Sequence, residues 1–150
     1  MSTQTGRPRY VIYLSEACEH LAELDASLEK RIRKRIEKFL RAWNATNVFE
    51  KSVTDDIDYI KKRRGETRAF ATYLEVDGLH ILLVLTVFKQ EEKDKFWLEK
   101  ALYQSKAEDY RGELKEIGKD GSLNSYIENL RRNDEYLVVP REVASNSRWI

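Results

Sequence analysis

The stretch Glu66–Gln90, ETRAFATYLEVDGLHILLVLTVFKQ, decides the fold of this chain because it predicts a β-hairpin. At its centre, Asp77-Gly78 is a dipeptide that two-residue type I′ turns favour, since both central residues of such a turn need a positive φ. Thr67–Val76 is rich in aromatic and β-branched residues, and Leu79–Phe88 is nearly all apolar. An apolar strand of that length is usually covered on both faces, so we place it at the centre of a sheet.

A regular ladder that starts at this turn predicts which side chains meet across the hairpin. It sets Val76 opposite Leu79 and Phe70 opposite Leu85. One face then carries Arg68, Phe70, Leu74, Val76, Leu79, Ile81, Leu83, Leu85 and Val87. The other face carries Ala69, Ala71, Tyr73, Glu75, His80, Leu82, Val84, Thr86 and Phe88.

The same ladder gathers positive charge at the end of the hairpin away from the turn, and we expect function there. The basic run Lys61–Arg64 leads into this end, which also holds Arg68 and Lys89. The regular register sets Arg68 opposite Val87 and Glu66 opposite Lys89, so a plain cross-strand ion pair is the alternative for Lys89. A solvated loop is the alternative for the basic run.

Composition bounds the class of protein. The chain has 150 residues, 41% of them apolar and 35% charged, which is typical of one globular domain with a highly charged surface. The net charge is +1, so any basic patch must be local and balanced by acid elsewhere. A protein devoted to nucleic-acid binding usually has a clear basic excess.

Metal, disulfide and membrane functions find no support in the sequence. Cys18 is the one cysteine and His20 and His80 are far apart, so neither an internal disulfide nor a zinc-ligand spacing is available. The N-terminus has no long apolar run, and Ile81–Phe88 is too short to span a bilayer. We expect a cytoplasmic protein with no membrane contact, no metal and no cofactor. We also expect His80 to lie at the surface and His20, in the first helix, to have no functional role.

The remaining pattern predicts an α+β fold: an antiparallel sheet of about four strands, an N-terminal helical hairpin on one face, and C-terminal helices. We expect the helices to leave one sheet face open. The predicted elements are a strand Arg9–Leu14, a helix Glu16–Leu24 capped by Ser15, a helix from Leu28 to about Trp43 capped by Asp25 or Ser27, a strand near Ile57–Lys62, a helix from Phe96 to Ile117, a helix from Ser122 to Leu130, and an edge strand Tyr136–Val139 stopped by Pro140.

The second predicted helix has a strongly basic face. Its apolar stripe continues to Trp43, for which we expect burial. The basic residues are Lys30, Arg31, Arg33, Lys34, Arg35, Lys38 and Arg41. A solvated face is the plain interpretation, and a surface for phosphate or an acidic partner is the alternative.

Four local patterns carry a family resemblance. They are Lys61-x-Arg63, Gly65-Glu66-Thr67-Arg68, the strand ILLVLTVFK at 81–89, and the helix containing Lys106-Ala107-Glu108-Asp109-Tyr110. Their order and spacing resemble the RelE/ParE superfamily of bacterial toxins, and most closely HigB and the phage-derived HigB-like toxins. The resemblance runs from Tyr10 to Leu114. It implies a RelE/HigB-like domain at 1–117 and an extension at 118–150.

The resemblance implies an activity and partners. The best-known members are toxins that cleave mRNA without a metal ion, often on translating ribosomes, and that form complexes with an antitoxin protein. Matched by motif, the positions implied to be catalytic are Lys61, Arg63, Arg68 and Lys89. The positions implied to bind RNA are Lys62, Arg64, Gln90 and Trp97. The antitoxin would cover this basic end.

The chain also departs from the family pattern. Gln90 is uncharged where a phosphate clamp needs a cation, and Phe96 and Trp97 stand near the family's tyrosine but cannot transfer a proton. Glu91 and Glu92 would repel RNA. Two alternatives follow, a protein-binding module such as a ParE-like gyrase inhibitor or a decayed toxin, and an unrelated small α+β protein.

Overall fold

A computed structural model describes residues 8–42, 44–49, 51–61 and 66–141. The strands are β1 (Arg9–Tyr13), β2 (Lys51–Ser52), β3 (Asp58–Lys61), β4 (Thr67–Val76), β5 (Leu79–Lys89) and β6 (Leu137–Pro140). The helices are α1 (Ser15–Glu23), α2 (Ala26–Ile36), α3 (Lys93–Leu98), α4 (Lys100–Lys119) and α5 (Leu123–Arg131). Short 3₁₀ turns occupy Glu37–Leu40, Ala45–Val48 and Gln90–Glu92.

The strands form one six-stranded sheet in the order β2-β3-β4-β5-β1-β6. The predicted α+β class is confirmed, but the sheet has six strands instead of about four. One pair, β1 with β5, is parallel, and the other pairs are antiparallel. The parallel pair places the first strand of the chain beside the last strand of the hairpin.

Both faces of the sheet are covered, so the predicted open face is wrong. On one side α1 and α2 pack over the sheet, burying Ala17, Leu21, Ile32 and Ile36. On the other side α4 and α5 bury Tyr103, Ala107, Leu114, Leu123 and Ile127. Every residue of β5 from Leu79 to Phe88 is buried, as an apolar strand between two helical layers requires.

The hairpin turn has the conformation that its sequence predicts. Asp77 and Gly78 have φ values of 51° and 78°, and Val76 pairs with Leu79. An aspartate tolerates this left-handed conformation better than most side chains, and glycine adopts it freely.

Farther from the turn, β5 contains one more residue than the regular ladder allows. Ala71 pairs with Val84 but Phe70 pairs with Thr86, so Leu85 forms a β-bulge. The predicted pairings of Arg68 with Val87, Phe70 with Leu85 and Glu66 with Lys89 are therefore wrong. Arg68 lies opposite Phe88, and Thr67 opposite Lys89.

The bulge also exchanges the side chains beyond it, those of Thr86, Val87 and Phe88, between the faces. Val87 belongs to the core under α1 and α2, whereas Phe88 belongs to the core under α4. Both assignments are the reverse of those that the unbroken alternation predicts. The prediction assumed that side chains alternate between the two faces along the whole strand. The extra residue shifts this alternation by one position, so the residues after it face the other side.

The N-terminal helices begin and end at identifiable groups. The Asp25 side chain accepts a hydrogen bond from the Leu28 backbone N–H at 2.9 Å, which confirms its predicted role as an N-cap. The predicted extension of α2 to Trp43 is wrong, since the α-helix ends at Ile36, and Trp43 itself lies outside the described residues. The guanidinium of Arg9, 1% exposed, donates to backbone carbonyls beyond this end.

The described part of the C-terminal segment belongs to the same sheet and core. Leu123 and Ile127 of α5 are buried, and β6 pairs antiparallel with β1 at the sheet edge. Pro140 ends that strand, so the predicted edge strand is present. The division of the chain into 1–117 and 118–150 stays a prediction.

Candidate functional site

The strand register brings predicted site residues to one end of the sheet. Lys61 pairs with Arg68, which lies opposite Phe88, and Lys89 is one step farther along, opposite Thr67. Lys61 is described by its backbone only. The other predicted cations, Lys62, Arg63 and Arg64, lie outside the described residues.

Arg68 is held inside the protein at this end. Its side chain is 4% exposed, and its guanidinium donates to the Thr67 carbonyl and to Gln90 Oε1, both at 2.9 Å. Gln90 N–H also donates to the Glu66 carbonyl. An uncharged glutamine is therefore suited to position 90. Its side-chain oxygen accepts a hydrogen bond from the buried Arg68 guanidinium, which a second cation at this position would repel.

The aromatic residues after β5 pack into the core. Phe96 is buried and stacks on Phe88 with the ring centroids 4.4 Å apart. Trp97 is half-buried and meets Tyr59 and Phe70 edge-on at 5.2 and 5.7 Å. Lys93 Nζ also lies over the Trp97 ring, 5.3 Å from its centroid. The predicted contact of Trp97 with RNA bases stays a prediction.

A cleft of about 560 Å³ opens beside Lys89. It lies between α1, the end of β5, α3 and the first turn of α4. Six carboxylates line it, those of Glu16, Glu19, Glu23, Glu91, Glu92 and Glu99. Lys89, Lys95 and His20 also line it. The sequence did not predict this cleft, because its walls meet only when β1 lies next to β5 and so brings α1 over the exit of that strand.

A hydrogen-bonded group at the base of the cleft joins α1 to α4. The Tyr103 hydroxyl donates to Glu16 Oε2 at 2.5 Å, and Lys106 Nζ donates to Glu16 Oε1 at 3.1 Å. Burial acts to raise the pKa of Glu16, but hydrogen bonds from Tyr103, Thr86 and Lys106 outweigh it and lower that pKa. Burial first, and then the bond to Glu16, raises the pKa of the Tyr103 hydroxyl well above its ordinary value.

His20 is a cleft residue that the sequence analysis set aside. Its Nδ1 lies 2.9 Å from the Val87 carbonyl and 3.0 Å from Thr86 Oγ1. A carbonyl oxygen only accepts, so the hydrogen-bond pattern assigns a proton to Nδ1 and leaves the lone pair of the neutral ring on Nε2. This arrangement is the one that a general base needs.

The other histidine is also differently placed from the expectation. His80 is 9% exposed, so the predicted surface position is wrong. Its ring stacks on Tyr73, and its Nδ1 lies 2.6 Å from the Tyr73 hydroxyl. It lies at the turn end of the hairpin, away from the basic end.

The described residues hold neither a metal-ion cluster nor a membrane-spanning helix. No group of three or more His, Cys, Asp or Glu side chains suited to a metal ion occurs there. Within those same ranges, no helix has the length and apolar character needed to cross a membrane.

Comparison with known proteins gives one structural likeness. No protein-family model matches the chain, and no curated protein matches it. A crystal structure of the isolated E. coli RelE toxin matches with 17% sequence identity and a TM-score of 0.42, covering 63% of this chain and 95% of that chain. A likeness of this size argues neither for nor against an activity of this chain.

Proposed function

We propose that this chain is the toxin of a toxin–antitoxin pair, that it acts in the cytoplasm, and that it cleaves mRNA by a metal-free reaction of the RelE/HigB type. The observation that carries the proposal is the register at one end of the sheet. There Lys61 and Arg68 share a row, and Lys89 lies one step beyond. These positions match the motifs on which the resemblance to the toxin family rests.

The proposed chemistry is attack of a ribose 2′-hydroxyl on the adjacent phosphorus. The 2′-hydroxyl loses a proton to a base, the bond from phosphorus to the 5′-oxygen breaks, and the 5′-oxygen takes a proton from an acid. Cations stabilise the charge that gathers on the phosphorane. The products are a 2′,3′-cyclic phosphate and a free 5′-hydroxyl.

The described side chains supply three roles in this reaction. Lys89, half-buried at the strand exit, binds the phosphate, and His20 Nε2 accepts the 2′-hydroxyl proton. Both residues line the same cleft. Arg68 is a positioning residue, because its bond to Gln90 fixes the exit of β5. The ammonium group of Lys89 is also the proposed acid, and Lys61, whose backbone pairs with Arg68, is the second candidate for that role.

A second candidate is a protein-binding module on the same fold without catalysis. Gln90 and Phe96 stand where a catalytic member has a cation and a tyrosine, and six carboxylates line the cleft next to Lys89. These carboxylates oppose the entry of a polyanion. A gyrase inhibitor of the ParE type and a decayed toxin are the forms this candidate takes.

One experiment separates the two candidates. Purified protein is incubated with single-stranded RNA in EDTA, and DNA supercoiling by gyrase is assayed in parallel. Cleavage that persists in EDTA and falls about 100-fold in His20→Gln and in Lys89→Ala supports the enzyme. Lys115→Ala, an exposed substitution on α4, is the matched control and should cleave at the parental rate.

The outcomes that would refute each candidate are distinct. Intact RNA together with inhibited gyrase removes the enzyme and supports the module. Intact RNA, active gyrase and normal growth of cells after induced expression would remove both the enzyme and the gyrase inhibitor, and would favour the decayed toxin.

A further inference from the structure

The cleft beside Lys89 concentrates negative charge in a protein whose net charge is only +1. Five of its glutamates are exposed and lack ion-pair partners among the described residues: Glu19, Glu23, Glu91, Glu92 and Glu99. A concave surface lined by one sign of charge focuses its field and attracts the opposite charge. The cleft therefore favours a cationic occupant.

Two exposed leucines lie next to these glutamates. Leu98 and Leu102 are the large apolar side chains that are most exposed among the described residues, at 87% and 53%. They lie four residues apart at the junction of α3 and α4, and Leu102 lines the cleft. Behind the rim, Phe88 and Phe96 form an apolar floor. An exposed leucine pair beside a cleft is typical of a docking surface.

We propose that this cleft docks a basic amphipathic segment of a partner protein. Lysine or arginine side chains of the segment meet the glutamates on α1 and on the turn after β5, and its apolar side chains cover Leu98 and Leu102. A small polycation would leave the leucine pair exposed, and RNA bound through Lys89 would leave the glutamates of the cleft without a counter-charge. An amphipathic helix bound in the cleft would place basic side chains against the glutamates and apolar side chains against the two leucines.

The inference goes beyond the proposed RNA cleavage and does not depend on it. An occupied cleft would cover His20 and Lys89, because both line it. If the protein is an RNase, the docked segment also inhibits it. Binding is measured without any RNA, so the failure of one proposal leaves the other standing.

The probe is a fluorescein-labelled 14-residue synthetic peptide with leucine and lysine at helical spacing, titrated with the full-length protein by fluorescence anisotropy. Two companion peptides replace every lysine by glutamate or every leucine by serine. We expect saturable one-to-one binding of the leucine–lysine peptide that weakens as salt rises. Neither companion should bind comparably.

Charge and apolar variants locate the site. Glu19→Gln with Glu23→Gln should weaken binding about fivefold or more, because two rim charges are lost. Leu98→Ser with Leu102→Ser should weaken it to a similar extent. The matched control, Glu116→Gln with Glu128→Gln, removes two exposed carboxylates elsewhere and should leave binding unchanged.

All these positions are exposed, so the fold should survive each change, and the thermal unfolding of every variant confirms this. Equal weakening by the cleft and control pairs would overturn the proposal, since it would indicate nonspecific attraction. The proposal would also be overturned if the leucine substitutions left the affinity unchanged, or if the glutamate peptide bound as tightly as the leucine–lysine peptide.

Discussion

Replacing Arg68 by alanine should destabilise the protein by about 3 kcal/mol. The guanidinium is 4% exposed and donates two hydrogen bonds of 2.9 Å, to the Thr67 carbonyl and to Gln90 Oε1. A hydrogen bond to a charged group contributes roughly 1.5–3 kcal/mol, and alanine leaves both acceptors without this donor. The cost of burying the cation offsets part of the sum.

This loss corresponds to a fall of about 6–12 °C in Tm for a domain of this size. Thermal unfolding followed by circular dichroism, together with urea titration, measures it. Lys89→Ala is the control, because the Lys89 side chain has no hydrogen bond or ion pair with a described residue. Its free energy of unfolding should match that of the parent within about 0.5 kcal/mol.

The two variants also decide how loss of toxicity is interpreted. Arg68→Ala should lose growth arrest because the fold weakens, whereas Lys89→Ala should lose it with the fold intact. If Arg68→Ala unfolds at the parental temperature and yet cuts no RNA, the positioning role is refuted. Arg68 would then act on the RNA itself.

Three further outcomes are expected. Lys89→Ala should reduce the slope of log affinity against log salt for single-stranded RNA by about 0.7, measured by anisotropy, and an unchanged slope would exclude a phosphate contact. Burial raises the pKa of Asp58 from 3.8 to about 6, so the folded protein binds more protons than the unfolded chain in this window and stability falls as pH rises through it. Asp58→Asn should therefore stabilise the protein by about 1 kcal/mol at pH 7, after allowance for solvent screening, and by nothing at pH 3.5, as urea titrations at the two pH values will test. Arg9→Met should cost about 2–4 kcal/mol, because its bonds to the Phe39 and Ala42 carbonyls, at 2.6 and 2.7 Å, are lost, and parental stability in urea would contradict this role.

Local chemistry explains which elements the sequence predicts well. The Asp77-Gly78 turn, the Asp25 cap and the stop at Pro140 each depend on residues within a few positions of one another. The parallel pairing of β1 with β5 joins residues about 70 positions apart, and no local pattern specifies it. β2 has two residues, too few for any periodicity to be visible.

The same distinction between local and distant contacts applies to the candidate site. Lys61 ends β3, and Arg68 and Lys89 lie at the ends of the hairpin strands away from the turn, so the strand register alone brings these three positions to one end. The burial of Arg68 against Gln90 depends on the path of the chain after β5. The cleft and the role of His20 depend on α1, whose position over the strand exit follows from the parallel pairing that the sequence did not reveal.

The additional residue at Leu85 has a consequence for comparing this chain with others. In a relative that lacks this residue but is otherwise identical around it, the residue equivalent to Lys89 would face the opposite side of the sheet. Alignments that run through this point without a one-position gap would therefore equate side chains that face different helical layers. Deleting this one residue would therefore move the side chains of the last residues of β5 to the opposite faces of the sheet, while the turn kept its conformation.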